Sequence, residues 1–281
     1  MGSWCDVSVI IPTYNRLSFL KDAVKSVLDQ TISPREVIVV DDGSDDGTHE
    51  WLSAVADERL KCVRQERQGP GVARNLGVSL SRCKWAAFLD SDDWWLPGKL
   101  EAQISFLAKN PSYQVCQTEE IWIRNGLRVN PMKKHRKHSG YIFERCLERC
   151  IISPSAVLME REFFEKLGGF DPEFPVCEDY DLWLRASLES PVETLSAPLV
   201  VKRGGHQDQL SKKYQAMDRF RVKAMEKILA AAILTDPQRE ALLKELKKKL
   251  GVLAGGFMKR YPEQFNPYAR KLSDYFEASH G

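Results

Sequence analysis

Short apolar runs recur through the first ninety positions, and each ends in a polar turn. Residues 7–11 lead into Pro12-Thr13-Tyr14-Asn15-Arg16, residues 37–40 into Asp41-Asp42-Gly43-Ser44, and residues 85–89 into Asp90-Ser91-Asp92-Asp93. Runs of this length flanked by turn residues predict buried strands. Between the first two lies residues 18–30, with Phe19, Leu20, Ala23, Val24, Val27 and Leu28 at the spacing of a one-sided helix. Residues 47–56 and 72–80 predict two further helices. Alternating βα units imply right-handed crossovers and a parallel sheet. Such a sheet sets all three turns at its carboxyl edge, where open α/β folds bind ligands.

After Asp93 the rhythm changes. Pro97 predicts a helix start running to about Lys109, since proline suits the first helical position. A strand follows over 113–123, then an Asn125-Gly126 turn and a polar, basic loop over 130–140. Residues 155–159 predict a strand, 162–167 a short helix closed by Gly168-Gly169, 178–188 a helix and 192–201 a late strand. From Tyr214 the pattern is helical. Met217, Phe220, Met225, Ile228 and Leu229 form one stripe. Asp236 reads as the N-cap of a helix whose Leu242, Leu243, Leu246, Leu250 and Leu253 continue to Gly255-Gly256. The chain therefore divides into an α/β body, 1–209, and a helical C-terminal extension, 210–281, whose stripe covers the core.

The 281 residues are 43% hydrophobic and 28% charged, the make-up of an ordinary globular protein. No apolar stretch reaches the roughly 18 residues that span a bilayer, and the first residues lack signal-peptide character, so a cytoplasmic location is expected. Seven cysteines are scattered without a C-x-x-C pair, which predicts reduced, mostly buried thiols rather than a zinc or redox site. The net charge of +2 hides an asymmetry: the segment from Leu210 onward carries +7 and the body −5. An acidic body argues against nucleic-acid binding, and the basic tail leaves room for an anionic partner.

Carboxylates gathered at one sheet edge repel one another unless a cation or hydrogen-bond donors compensate. A divalent metal holding a diphosphate would do so. In Asp90-Ser91-Asp92-Asp93, one carboxylate can bond a ribose hydroxyl while another holds a hard cation with diphosphate oxygens; capping of the next helix is the plainer alternative. Asp42 to Ser53 resembles a calcium loop only superficially, because Ser53 stands where a bidentate Glu is needed. A carboxylate at Asp42 can instead accept the imide N–H of a pyrimidine. Gly69-Pro70-Gly71 turns into a helix carrying Arg74, a surface residue or a cation beside phosphates. Glu178-Asp179 opens a helix, where the dipole stabilises acids, and where a general base can also be mounted at a cleft rim.

Taken in order, Val9-Ile10-Ile11-Pro12-Thr13-Tyr14-Asn15-Arg16, Val39-Val40-Asp41-Asp42-Gly43-Ser44, Gly71-Val72-Ala73-Arg74-Asn75, Phe88-Leu89-Asp90-Ser91-Asp92-Asp93 and Glu178-Asp179 resemble the family 2 glycosyltransferases over about the first 205 residues. The resemblance implies the A-type glycosyltransferase fold, a Rossmann-like, mostly parallel sheet with helices on both faces. It divides the body into a nucleotide-binding half, 1–93, and an acceptor half, 94–209. Pro12, Thr13, Tyr14, Asn15, Arg16, Asp42, Arg74, Asp90 and Ser91 would bind the nucleotide, Asp42 reading the base edge and Asp90 the ribose. Asp92, with Asp93 as a substitute and His206 from a mobile segment, would hold Mn²⁺ or Mg²⁺. Asp179 would be the catalytic base, with Glu178 and Trp183 on the acceptor side or supporting it.

The implied reaction is a single inverting displacement, moving one sugar from a nucleoside-diphosphate sugar, by family habit a UDP-sugar, to a glycan, lipid-linked or other acceptor. The Q-x-x-R-W segment of processive synthases is absent, so one sugar per encounter is expected. Two other readings compete. A nucleotidyltransferase making nucleotide sugars would show a glycine-rich loop after the first strand, which this chain lacks; a non-catalytic nucleotide-binding scaffold would not need both Asp92 and Asp179. The basic run 133–138 reads as a solvated loop, or, with the basic tail, as a peripheral contact with an anionic membrane at its inner face. The helical tail is also where a homodimer interface is expected.

Overall fold

The computed structural model describes residues 4–130, 132, 135–205 and 213–276. Its strands are β1 (Trp4–Thr13), β2 (Ser33–Asp41), β3 (Leu60–Arg64), β4 (Trp85–Phe88), β5 (Trp94–Trp95), β6 (Val115–Arg124), β7 (Leu127–Val129), β8 (Val157–Glu160) and β9 (Val192–Gly204). The helices are α1 (Leu17–Leu28), α2 (Thr48–Ala54), α3 (Pro70–Ser79), α4 (Lys99–Lys109), α5 (Phe143–Glu148), α6 (Arg161–Lys166), α7 (Glu178–Glu189), α8 (Asp218–Ala231), α9 (Asp236–Arg260) and α10 (Pro267–Phe276).

One sheet runs β3-β2-β1-β4-β8-β6-β9-β5, with β7 paired to β6. Its first four strands are parallel. The second half is mixed: β8 runs antiparallel to β4 and β6, β9 parallel to β6, and β5 antiparallel to β9. The chain leaves β1 toward β2 and β3 and returns on the other side to β4. This reversal of strand order opens a crevice between the ends of β1 and β4.

Both faces of the sheet are covered, which is why its central strands read as unbroken apolar runs. Val7, Val9 and Ile11 of β1 pack with Leu20, Val24 and Val27 of α1 and with Leu100 of α4. Ile10 points the other way, into a core shared with Val78 of α3 and Phe88 of β4. There α3 lies against the strand so closely that a Cβ on Gly77 would meet Ile10 Cγ2 at 2.4 Å, so only glycine fits. The same core contains Tyr180, Trp183 and Leu184 of α7, Val222, Met225 and Ile228 of α8, and Leu242, Leu246 and Leu250 of α9. The C-terminal stripe thus covers the body, as its pattern predicts.

Several boundaries differ from expectation. Gly98, at φ +86°, precedes α4, which begins at Lys99 and leaves Pro97 outside. The cap of α9 is Thr235, not Asp236: its side chain accepts from Gln238 N while Gln238 Oε1 accepts from Thr235 N, a capping box. This helix passes through Gly255-Gly256 to Arg260, because packing against α8 and α10 outweighs the roughly 1 kcal/mol per glycine that propensity would exact. Ser155 and Ala156 lie in a 3₁₀ turn ahead of β8. All seven cysteines are free, and five are buried. No helix among the described residues is long and apolar enough to cross a membrane.

Candidate active site

The turns after β1, β2 and β4 meet the start of α7 and the end of β9 around one cleft of about 890 Å³. The first two turns are bolted together. Asn15 donates its N–H to Ser44 Oγ at 2.9 Å and accepts from Asp45 N through Oδ1. Asp46 accepts from Leu17 N at the start of α1 and from Thr48 N at the start of α2. Pro12, Thr13, Tyr14, Asn15 and Arg16 line the cleft as the sequence suggests. The Arg67 guanidinium, which sequence reasoning missed, lies 3.7 Å from the centre of the Tyr14 ring.

Asp42 is buried at the cleft wall. Its Oδ1 accepts from Gln65 Nε2 at 2.7 Å and Gln68 N at 2.8 Å, and its Oδ2 from Gly69 N at 2.8 Å. An ionised carboxylate has about four acceptor positions, so one on Oδ2 is left for a ligand N–H. The segment 65–69 therefore aims this carboxylate and solvates it with neutral donors.

The three acids after β4 have three different environments. Asp90 receives Arg74 Nη2 at 2.6 Å and its backbone N–H donates to Ser155 Oγ. Burial disfavours its charge, but Arg74 and Lys202 outweigh that and hold its pKa below the usual range. Ser91 is buried in the same turn. Asp92 faces the cleft with Arg16 Nη1 3.5 Å away. Burial, then repulsion from Asp90, pushes its pKa up against the pull of Arg16 and Lys202. Asp93 is 1% exposed, and each of its oxygens accepts one hydrogen bond: Oδ2 from Ser155 Oγ at 2.7 Å and Oδ1 from Arg203 N at 2.9 Å. These bonds pin β9 to the β4 turn, so of the two adjacent acids Asp92 is the more open to the cleft.

Across the cleft, Cys177 at φ +61° turns the chain into α7 and presents Glu178 and Asp179 on its first turn. Glu178 is buried and accepts from Arg74 Nη1 at 2.8 Å. Burial and the adjacent Asp179 outweigh that shared arginine and lift the Glu178 pKa to about 7. Asp179 is half-buried; its Oδ1 accepts from Tyr180 N at 2.7 Å and its Oδ2 from Cys150 Sγ at 3.3 Å. Arg74 thus joins Asp90 on one side of the cleft to the Glu178-Asp179 pair on the other. Trp183 does not join them. It is 1% exposed and packs edge-on to Phe170 in the core, one helical turn beneath Asp179, because α5 and α8 cover that face. Its expected acceptor-side role is corrected to core packing.

No group of three or more His, Cys, Asp or Glu side chains that could hold a metal exists among the described residues. That donor set still fits a magnesium-like ion, which is commonly held by one or two carboxylates together with substrate phosphates. Asp92, repelled by Asp90 and open to the cleft, is the carboxylate for that role. His206 lies outside the described residues. Sequence reasoning also missed Lys202, whose strand pattern gives no sign that its side chain enters the cleft. Of the basic run 133–138, Lys137 is buried and ion-paired to Glu120 at 3.0 Å, His135 packs against Trp122, and Lys133 and Lys134 lie outside the described residues. It is thus in part an internal strut rather than a solvated basic loop.

The family model described as "Glycosyl transferase family 2" matches residues 8–168. Among curated relatives, the Escherichia coli UDP-Glc:alpha-D-GlcNAc-diphosphoundecaprenol beta-1,3-glucosyltransferase WfgD is 31% identical over 198 residues, 70% of this chain and 76% of that one. The putative teichuronic acid biosynthesis glycosyltransferase TuaG of Bacillus subtilis is 36% identical over 183 residues, 63% of this chain and 70% of its own. An uncharacterized glycosyltransferase of Rickettsia bellii is 33% identical over 200 residues, and there this chain spans only 28% of the relative's length. Among solved structures, Staphylococcus aureus TarS 1–349 in complex with UDP-GlcNAc superposes at a TM-score of 0.76 with 21% identity, covering 97% of this chain and 81% of TarS 1–349. The mannosyltransferase PcManGT of Pyrobaculum calidifontis, with GDP-Man and Mn²⁺, gives 0.64 at 20% identity, covering 96% and 79%. With its open sheet, its acidic turns on one cleft and this match, the chain belongs to glycosyl transferase family 2 and has the A-type glycosyltransferase fold.

Proposed function

We propose that this chain moves one sugar from a UDP-sugar to a lipid-diphosphate-linked or other glycan acceptor by a single inverting displacement, with Asp179 as the base. The observation that carries the reading is the facing of two sets of carboxylates across one cleft. Asp42, Asp90 and Asp92 lie on the donor side, and the half-buried Asp179 lies opposite at the N-terminus of α7. The free acceptor position on Asp42 Oδ2 suits the imide N–H of uracil. The UDP-GlcNAc complex of TarS and the UDP-glucose and diphosphoundecaprenol of the WfgD name support the donor and acceptor classes.

In this reading the acceptor hydroxyl oxygen attacks the anomeric carbon while Asp179 Oδ takes its proton. The bond from that carbon to the β-phosphate oxygen breaks, its electron pair leaves with the diphosphate, and the configuration inverts. Mn²⁺ or Mg²⁺ held by Asp92 and the diphosphate would supply charge neutralisation when bound. Arg74 fixes Asp90 for the ribose, and Cys150 and the Tyr180 N–H orient the base.

A peripheral membrane contact would suit a lipid-linked acceptor. Exposed Met258, Lys259, Arg260, Tyr261 and Phe265, at the end of α9 and just beyond, mix apolar and cationic groups as such a contact needs.

The deciding experiment measures thermal stabilisation by UDP, GDP, dTDP and their sugars, with and without Mn²⁺, alongside transfer by wild type and Asp179→Asn. UDP-specific stabilisation is expected, retained in the variant while transfer is lost. Transfer undiminished in Asp179→Asn would overturn the assigned mechanism.

A further inference from the structure

Most cations near the cleft are already committed. Arg74 is divided between Asp90 and Glu178, Arg16 stands at Asp92, and Lys137 is tied to Glu120. Lys202 is placed differently. It lies near the end of β9, in register with Trp122 of β6 and one residue past the pairing of Val201 with β5, so the sheet fixes its backbone. Its side chain lines the donor cleft, and its Nζ donates to Ser153 Oγ at 2.9 Å. Among the described residues it forms no ion pair within 4.0 Å. An ammonium carries three N–H donors, so two remain for a ligand.

Lys202 lines the same cleft as Asp90, Asp92, Asp93 and Asp179. Its strongest charge partner is Glu120, which Lys137 already pairs, followed by Asp93, Asp90 and Asp179, so its charge bears on both walls. Asp92 marks where the diphosphate lies and Asp179 marks the anomeric carbon, on the proposed reading. The bond that breaks joins those two landmarks. An ammonium with two spare donors in the same cleft meets the most strongly charged acceptor a donor can offer there, the β-phosphate, in preference to a neutral sugar hydroxyl.

We propose that Lys202 is a catalytic residue that binds the β-phosphate oxygens of the nucleoside diphosphate and stabilises them as that group leaves. As the bond from the anomeric carbon to the β-phosphate oxygen breaks, its electron pair stays on the phosphate. Lys202 keeps its three protons and shortens its hydrogen bonds to the developing charge, while the acceptor proton goes to Asp179. Ser153 holds the amine in place, so the donors are aimed before the substrate arrives.

This inference rests on the UDP-sugar reading, and the test separates the two. Calorimetric titration of UMP and UDP into wild type, Lys202→Met, Lys202→Arg and Ser153→Ala compares ligands that differ only in the β-phosphate. Loss of a charge-assisted contact should weaken UDP by roughly 10- to 100-fold in Lys202→Met, with UMP unchanged. Lys202→Arg should recover much of the UDP affinity. Ser153→Ala, which keeps the amine but frees it, should show a smaller loss of the same kind and carries the test if Lys202→Met does not fold. Transfer from the UDP-sugar should fall further than UDP binding in Lys202→Met, since the contact tightens as charge develops. Equal weakening of UMP and UDP, an unchanged UDP affinity, or a loss confined to the UDP-sugar would each overturn the assignment, the last by placing the amine on sugar hydroxyls. Wild type that binds neither nucleotide would instead refute the donor reading itself.

Discussion

Replacing Arg74 with methionine tests the strut that joins the two sides of the cleft. The guanidinium is 4% exposed and holds Asp90 at 2.6 Å and Glu178 at 2.8 Å. Breaking a buried ion pair from one side costs about 3–5 kcal/mol, because a charge is left without its partner. The two orphaned carboxylates do not respond alike. Asp90 opens on the cleft and can regain water, whereas Glu178 is buried and can relieve itself only by taking up a proton. In the wild type its pKa is already about 7 against an ordinary 4.5, so the folded state binds more protons than the unfolded one across that interval. This group's contribution therefore falls as pH rises from about 4.5 to about 7 and is level above. Without Arg74 the folded pKa moves higher still, and the decline continues above pH 7 at up to about 1.4 kcal/mol per pH unit. The destabilisation of Arg74→Met relative to wild type should thus be larger at pH 8.5 than at pH 6.5. Urea unfolding followed by tryptophan fluorescence at the two values reads it directly. Adding Glu178→Gln to Arg74→Met should remove most of the pH-dependent part. A loss below about 1 kcal/mol, the size of an exposed pair, or one equal at both pH values, would refute the reasoning.

Asp42→Asn should weaken UDP binding by roughly 10-fold or more. Three N–H donors converge on this carboxylate, and an amide turns its own NH₂ toward at least one of them; titration calorimetry showing wild-type affinity would exclude the base-reading role. Flotation with vesicles containing anionic lipid should carry the wild type upward, and Tyr261→Ser with Phe265→Ser should abolish this without changing UDP affinity. Wild type that stays at the bottom of the gradient would remove the membrane contact.

What was legible in the sequence follows from what is local. The strands β1, β2 and β4 are buried on both faces, so their apolar runs are unbroken and the polar residues after them stand out. That is why Pro12 to Arg16, Asp42 and Asp90 to Asp93 could be placed at one edge before any coordinates. Arg74 was visible as a cation inside a helix, but its role depends on Glu178, 104 residues later. Asp92 and Asp93 are adjacent and chemically alike; only contacts with Ser155 and Arg203, from distant segments, divide a cleft acid from a buried latch. Trp183 could have been read correctly. With Tyr180, Leu184 and Ser187 it falls at helical spacing on one buried face of α7, with Asp179 at the edge of that face and less buried. Lys202 carries no such local signal, since its neighbours in the cleft come from β4, β6 and α7.

The C-terminal helices look like an appendage in sequence, yet they bear on the wall that carries Asp179. Residues 8–168 match the family, a segment that ends before α7. The helix that carries Asp179 is held from beyond that limit. Lys227 of α8 pairs with Asp181 of α7 at 3.2 Å and with Asp171 at 2.6 Å. Tyr180, the residue after Asp179, donates its hydroxyl to Leu147 O of α5 at 2.6 Å, and α9 packs on α5. Tyr214 and Met217, ahead of α8, themselves line the cleft. The donor side is thus built from the matched segment and braced by a parallel sheet. The wall that carries Asp179 is built from α7 and from helices beyond the segment that the family model matches. A wall assembled in this way can change its shape without disturbing the turns after β1, β2 and β4, and that division follows from which residues share the core with α7.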